Sequence, residues 1–239
     1  MRKLVIVAGA ALVLVVVAVV AGLIFWLSRS DDVDLVTEAP AISSTPGQAA
    51  PTAAAATDGT LHFVVVPEES EATYVAREKL ASLPLSSNAV GKTQAVSGDI
   101  FLTTEGLAGE QPSAFRVDLS TLASDEGRRD NYIRQNTLQT DTFPFAEFEI
   151  DEVHGFPIDY TEGREVELTL TGRMTIRETE LPLTFQVKAR QSGDTLTAVA
   201  DTSFNMTDFG LDPPQLAFVT VEDGVQLQVV LVARLEPAA

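Results

Sequence analysis

The chain contains no cysteine, only two histidines and a single tryptophan. Without cysteine there is no disulfide framework, thiolate nucleophile, iron–sulfur cluster or cysteine-ligated zinc. There is also no residue for a lipobox or for palmitoylation. His62 and His154 stand alone, and no His-x-x-x-His or Glu-x-x-His spacing offers a metal site. No glycine-rich phosphate loop follows a strand, and no Gly-x-Ser-x-Gly elbow occurs. Basic residues are scarce: 16 Lys and Arg stand against 34 Asp and Glu, a formal net charge of −18 over 239 residues. A chain so acidic lacks the positive footprint that a nucleic-acid backbone requires. Asp31, Asp32 and Asp34 resemble part of a calcium loop, but the loop's glycine and distal glutamate are missing. Spacing selects no catalytic carboxylate pair, and nothing calls for a cofactor.

What the chain does have begins at its amino end. After Arg2 and Lys3, an apolar run extends unbroken from Leu4 to Leu27. As a helix it measures about 36 Å, enough for roughly 30 Å of hydrocarbon with some tilt. A cleaved signal peptide would carry a shorter apolar region and a small-residue cleavage motif. This run ends instead in Phe25-Trp26-Leu27, and Trp26 suits the membrane interface. Residues 1–29 are therefore read as an uncleaved transmembrane anchor that contacts membrane lipid. Arg2 and Lys3 before the span, against Arg29 after it, favour a cytoplasmic amino end. The expected location is the cell membrane, single-pass, with the carboxy-terminal domain extracytoplasmic. Residues 30–58 are rich in Ala, Pro, Ser and Thr with no sustained period, and read as a disordered linker.

From Thr60 the pattern changes to period two. Leu61–Val66, Ala72–Arg77, Asp99–Thr104 and Ala114–Leu119 are predicted strands. The clearest follow later. Val166, Leu168, Leu170, Gly172, Met174 and Ile176 share one face, with polar residues between them. Gly172 suggests a bend or bulge in a long curved strand. Leu183, Phe185, Val187 and Ala189 alternate in the same way, as do Val225, Leu227, Val229, Leu231, Ala233 and Leu235. The segment from Ser124 to Asn136 breaks the alternation and reads as a short helix capped by Ser124. Tyr132 and Ile133 are placed to dock it against a barrel end. A second helical stretch is expected near Ala76–Leu83, ended by Pro84. Eight to ten strands fit either a closed up-and-down barrel or an open sandwich. Long strands favour the barrel, because closure removes the edges.

An apolar barrel interior is either a dry core or the wall of a ligand cavity. The inward set is the same in both cases. Its bulky members are Phe63, Phe101, Phe115, Phe185, Phe204, Phe218, Met174 and Met206, with Leu168, Leu170, Val187, Leu227 and Val229 beside them.

Four stretches, in order, carry a family likeness. They are Val90–Ile100, Phe115–Ile133 with Arg129-Asp130, Thr142–Phe148 with Phe143-Pro144, and Leu170–Arg177. Asp208-Phe209-Gly210 follows in the expected place. Together they resemble the YceI-like family of bacterial lipid- and polyisoprenoid-binding domains, over residues 60–235. The chain departs from the family's pattern at the Arg177–Pro182 turn, which lacks a glycine and a lysine, and at Met206, where an arginine is common. The resemblance implies an all-β fold: an extended eight-stranded antiparallel lipocalin-like barrel with one or two short helices, here preceded by the transmembrane helix. Residues 59–239 would form this domain.

The resemblance further implies a hydrophobic small-molecule ligand, an isoprenoid or fatty-acyl lipid bound in an apolar tunnel. It also implies work outside the cytoplasm. On this reading the protein is no enzyme and binds, stores or transports a polyisoprenoid, isoprenoid quinone or fatty-acyl lipid. The alternative is a tethered structural or protein-interaction domain without a lipid. An enzyme would have to use carboxylates with Tyr132, Tyr160 or a histidine.

Overall fold

The computed structural model describes residues 33–42, 60–81, 86–109, 111–157 and 159–236. The strands are β1 (Leu61–Val65), β2 (Glu71–Leu80), β3 (Ser86–Thr93), β4 (Val96–Thr103), β5 (Gly106–Leu107) and β6 (Ala114–Asp118). They continue with β7 (Ala123–Ser124), β8 (Phe145–His154), β9 (Val166–Ile176), β10 (Thr179–Ser192), β11 (Thr195–Asn205) and β12 (Val219–Leu235). Helix α1 (Gly127–Tyr132) continues into a wider turn at Ile133–Thr137.

Every pairing is antiparallel, and the sheet closes on itself through β12. That strand pairs β11 along one edge. Its other edge meets β2, with Leu227 opposite Tyr74, and then β1, with Leu235 opposite Phe63. Strands β1 and β2 thus run along one partner as a single interrupted strand. So do β3 and β4, which pair β2 and β1 in turn. The result is an eight-stranded antiparallel barrel with one short helix among the described residues. Closure leaves no long edge to template another chain.

The alternation predicted for the later strands places their residues as expected. Leu168, Leu170, Met174 and Ile176 of β9 face inward, as do Phe185 and Val187 of β10. Gly172 lies opposite Ile150, where a Cβ would come 2.1 Å from the Glu149 carbonyl oxygen. The bulge itself sits across from it on β8, where the register shifts between Ile150 and Glu152.

Three expectations change. Of the stretch near Ala76–Leu83, the part from Ala76 to Leu80 is not helical, because it belongs to β2 between β12 and β3, and Ser82 and Leu83 lie outside the described residues. Pairing on both edges outweighs the helical propensity of Ala-Arg-Glu-Lys. Helix α1 is capped by Glu126, whose side chain accepts from the Arg128 N–H, while Ser124 belongs to β7. The linker is not free throughout. Residues 35–42 lie in the same compact unit as the barrel and cross its outer wall. Val36 exchanges two hydrogen bonds with the Gln228 side chain. Lys188 donates to the Thr37 carbonyl, Thr197 to the Pro40 carbonyl, and the Ala39 N–H donates to Glu165. Outward-facing Val199 is only 1% exposed beneath this strap, and Ala39 is buried with it. Val199, with Val230 and Val232 of β12 beside it on the outer face, needs a cover, which a tether without a period does not announce.

Among the described residues, no helix is long and apolar enough to cross a membrane. The span predicted at Leu4–Leu27, and the remainder of the linker at residues 30–32 and 43–58, lie outside the described residues.

Candidate ligand cavity

The barrel encloses a cavity of about 1260 Å³. Ligand pockets commonly fall between roughly 300 and 1,000 Å³, so this interior is hollow on the scale of a large ligand. Its wall is built by the inward faces of the long strands. Phe63, Phe115, Leu168, Leu170, Met174, Phe185, Val187, Phe204, Met206, Phe218, Leu227 and Val229 all line it. Phe148 meets Phe185 edge-on at 4.8 Å, which fixes both rings in the wall.

Phe101 does not belong to this wall. Ile100 and Leu102 on either side of it line the cavity. Phe101 lies on the outer face and stacks on His62 at 4.3 Å with 14° between the planes. His62 Nε2 is 2.7 Å from Asp99 Oδ1, and Nδ1 is 2.8 Å from Glu236 Oε2. The ring thus clasps β1 to β4 and to the end of β12 from outside. His154 pairs with Glu152 on the surface. Neither histidine lines the cavity. The aromatic tip of Phe218 is a rim feature: it lines the cavity yet is 66% exposed.

The two ends of the barrel differ. At one end the loop after β8 brings Phe156, Pro157 and Tyr160 against the cavity. The Tyr160 hydroxyl accepts from the Gln191 N–H at 2.7 Å and donates to the Gln191 carbonyl at 2.8 Å. This bond pins the loop to β10, and Tyr160 serves as a staple.

The other end carries α1 and is polar. Glu78 points inward from β2 and is 6% exposed. Arg129 of α1 donates to Glu78 Oε1 at 2.9 Å and also pairs with Asp125. Burial works against the charge on Arg129, but its bond to Asp125 and the charges of Glu78 and Asp125 outweigh it and push its pKa up. Asp130, also buried, accepts from the Ser124 N–H and hydroxyl, which anchors the helix to β7. Tyr74, two inward positions before Glu78, lines the same region, and burial pushes its phenol up to about 12. Tyr132 and Ile133, read as docking residues, do face the barrel interior.

Sequence reasoning missed Glu78 and Tyr74 as lining residues. The signal was available: the alternation Ala72, Tyr74, Ala76 continues to Glu78 once β2 is read as one strand. Arg129 was visible as part of a motif, without its partner.

A family model described as the YceI-like domain matches residues 63–233. The chain belongs to the YceI-like family. The match covers the barrel from within β1 to two residues before the end of β12, the part that builds the cavity. None of the curated proteins matches this YceI-like chain. Solved structures share its fold. A polyisoprenoid-binding domain from Saccharophagus degradans superposes with a TM-score of 0.57 at 13% identity, covering 74% of this chain and 99% of that one. BcnA from Burkholderia cenocepacia gives 0.53 at 18% identity, covering 70% and 98%. The YCEI protein of Campylobacter jejuni gives 0.50 at 14% identity, covering 67% and 91%. At such identities the likeness is one of fold.

Proposed function

We propose that this YceI-like domain binds a long-chain amphiphilic lipid, without covalent chemistry, inside its barrel. The observation that carries the reading is the cavity of about 1260 Å³, whose wall is made of aliphatic and aromatic side chains along the strands. Each methylene taken from water into such a wall is worth about 0.8 kcal/mol. A long isoprenoid or acyl chain therefore gains most when it is covered along its length. The name of the Saccharophagus degradans domain as polyisoprenoid-binding supports the same ligand class. Both histidines lie outside the cavity, so the residues most suited to proton transfer near neutral pH do not face the bound chain.

The proposed setting is the outer face of the cytoplasmic membrane, with Leu4–Leu27 as the anchor. A tether of this kind raises the local concentration of the barrel beside its lipid. Protease added to intact cells should digest a tag placed at Ala239. A protected tag would reverse the topology.

The binding experiment is extraction of lipid from the purified protein followed by mass spectrometry, with uptake assays for isoprenoids and fatty acyl chains. A stoichiometric long-chain lipid is expected. Filling the hollow with Ala200→Trp should lower uptake while the fold persists, since Ala200 lines the cavity. A barrel that is empty on purification and takes up neither class would refute the proposal.

A further inference from the structure

The polar end of the cavity is charged in a way that bears on the ligand's head group; the argument rests on the lipid-binding reading above. Glu78, Asp125 and Glu126 line this end against Arg128 and Arg129, a formal balance of −1. Asp130 stands directly behind, buried, and makes it −2. The arginine nearest the interior is already engaged. Arg129 donates to Glu78 with one terminal nitrogen, and to Asp125 and the Ser124 hydroxyl with the other. It has little left for an anion. Arg128, Asp125 and Glu126 are all exposed on the rim, where solvent screens them; the less exposed charges, Glu78, Arg129 and Asp130, leave an excess of one negative charge.

Two groups remain directed at a ligand. The hydrogen bonds to Glu78, from Arg129 and Ser87, both end on Oε1. No hydrogen bond among the described residues uses the Tyr74 hydroxyl, although Tyr74 lines the cavity. A carboxylate accepts and a phenol can do either, so their natural complement is a group that both donates and accepts. A hydroxyl does this without adding charge. A carboxylate or phosphate would meet Glu78 in a poorly hydrated space, where like charges repel most strongly.

We infer that the Tyr74–Glu78–Arg129 end of the cavity selects lipids with an uncharged, hydroxyl-bearing head group over carboxylates and phosphates on the same chain.

The test is a competition between matched probes on the full chain. Geranylgeraniol is set against geranylgeranyl monophosphate, and a C16 fatty alcohol against the C16 fatty acid, each displacing a fluorescent apolar dye. The alcohols should bind at least about tenfold more tightly than their anionic partners. Glu78→Gln should narrow that ratio to about threefold or less, by admitting the anions and not by improving the alcohols. Asp125→Asn, at an exposed position that solvent screens, should narrow it in the same direction and by less, and guards against a folding defect in the first variant. Anions binding as well as the alcohols, or better, would overturn the head-group assignment and leave lipid binding standing. An anion preference abolished by Arg128→Gln would assign the end to phosphate instead. Failure of all four probes to displace the dye would overturn lipid binding itself, and this inference with it.

Discussion

The Tyr74 ring lies across Gly91, its direct partner in the β2–β3 ladder, in the space where any other residue would carry a side chain. A Cβ on Gly91 would come 2.2 Å from Tyr74 Cε1. The glycine keeps the phenol folded against the wall, beside the polar end of the cavity. Gly91→Ala should therefore destabilise the barrel by about 1–3 kcal/mol, the usual penalty of overpacking. Adding Tyr74→Leu should recover much of the loss. Urea unfolding of the two single variants and the double variant measures the coupling. Strictly additive effects would show that the ring and the glycine are independent.

Asp223 provides a pH signature. The hydroxyl and then the backbone N–H of Thr207 hydrogen-bond its carboxylate and hold its pKa below the ordinary 3.8. A folded pKa below the unfolded one contributes stability above the unfolded value, and loses it as pH falls through the folded value. Asp223→Asn should lower Tm at pH 7. The gap to the parent should close in thermal melts taken progressively below pH 3.8. A gap that stays constant with pH would assign the effect to something other than this carboxylate.

The strap at residues 35–42 predicts where the folded unit starts. A chain beginning at residue 43 loses five hydrogen bonds to the barrel and uncovers Val199. Its stability should fall by about 1–2 kcal/mol relative to a chain beginning at residue 33. Differential scanning calorimetry of the two chains decides it. Equal Tm values would mean that the strap rests on the wall without stabilising it.

Position 168 separates the cavity from the outer surface. Leu168→Asp places an unpaired carboxylate in an apolar hollow and should abolish lipid uptake or folding, because nothing there can hydrate or pair it. Gln186→Asp, on the exposed face of β10, should change stability by no more than about 0.5 kcal/mol. Circular dichroism with a dye-uptake assay reads both.

Phe218 is the exposed apolar residue on the cavity rim, hydrogen-bonded through its carbonyl to the Ala81 N–H. Its side chain holds no part of the core in place, so Phe218→Ser should leave Tm nearly unchanged. Ligand transfer from vesicles should slow, because the rim loses the apolar step between membrane and cavity. An unchanged transfer rate would remove Phe218 from the entry route.

Much of this architecture was legible in the residues alone. Strict alternation in Val166–Ile176, in Leu183–Ala189 and in Val225–Leu235 determined the strands and their inward faces, because side chains alternate across a strand whatever its partners are. Twelve of the thirteen residues read as cavity wall line the cavity, seven of them in these three stretches. Phe101 failed for a physical reason. It sits in the continuously apolar run Ile100-Phe101-Leu102, which hides the period, although Ser97 and Asp99 on its own face of β4 mark that face as outer. The structure adds its outer partner, His62, which faces it across β1 and β4 and stacks on its ring.

The rest was decided by tertiary structure. Period two orders the wall and cannot measure the space it encloses; the hollow follows from how eight long strands close around one another. Glu78 and Arg129 are 51 positions apart and meet only when α1 folds over the barrel's end. The strap reaches 192 positions, from Val36 to Gln228, to cover an apolar outer face that β11 and β12 create together. Local sequence fixes which way a side chain points along its own strand. Contacts between distant segments depend on closure, which no single stretch of the chain encodes.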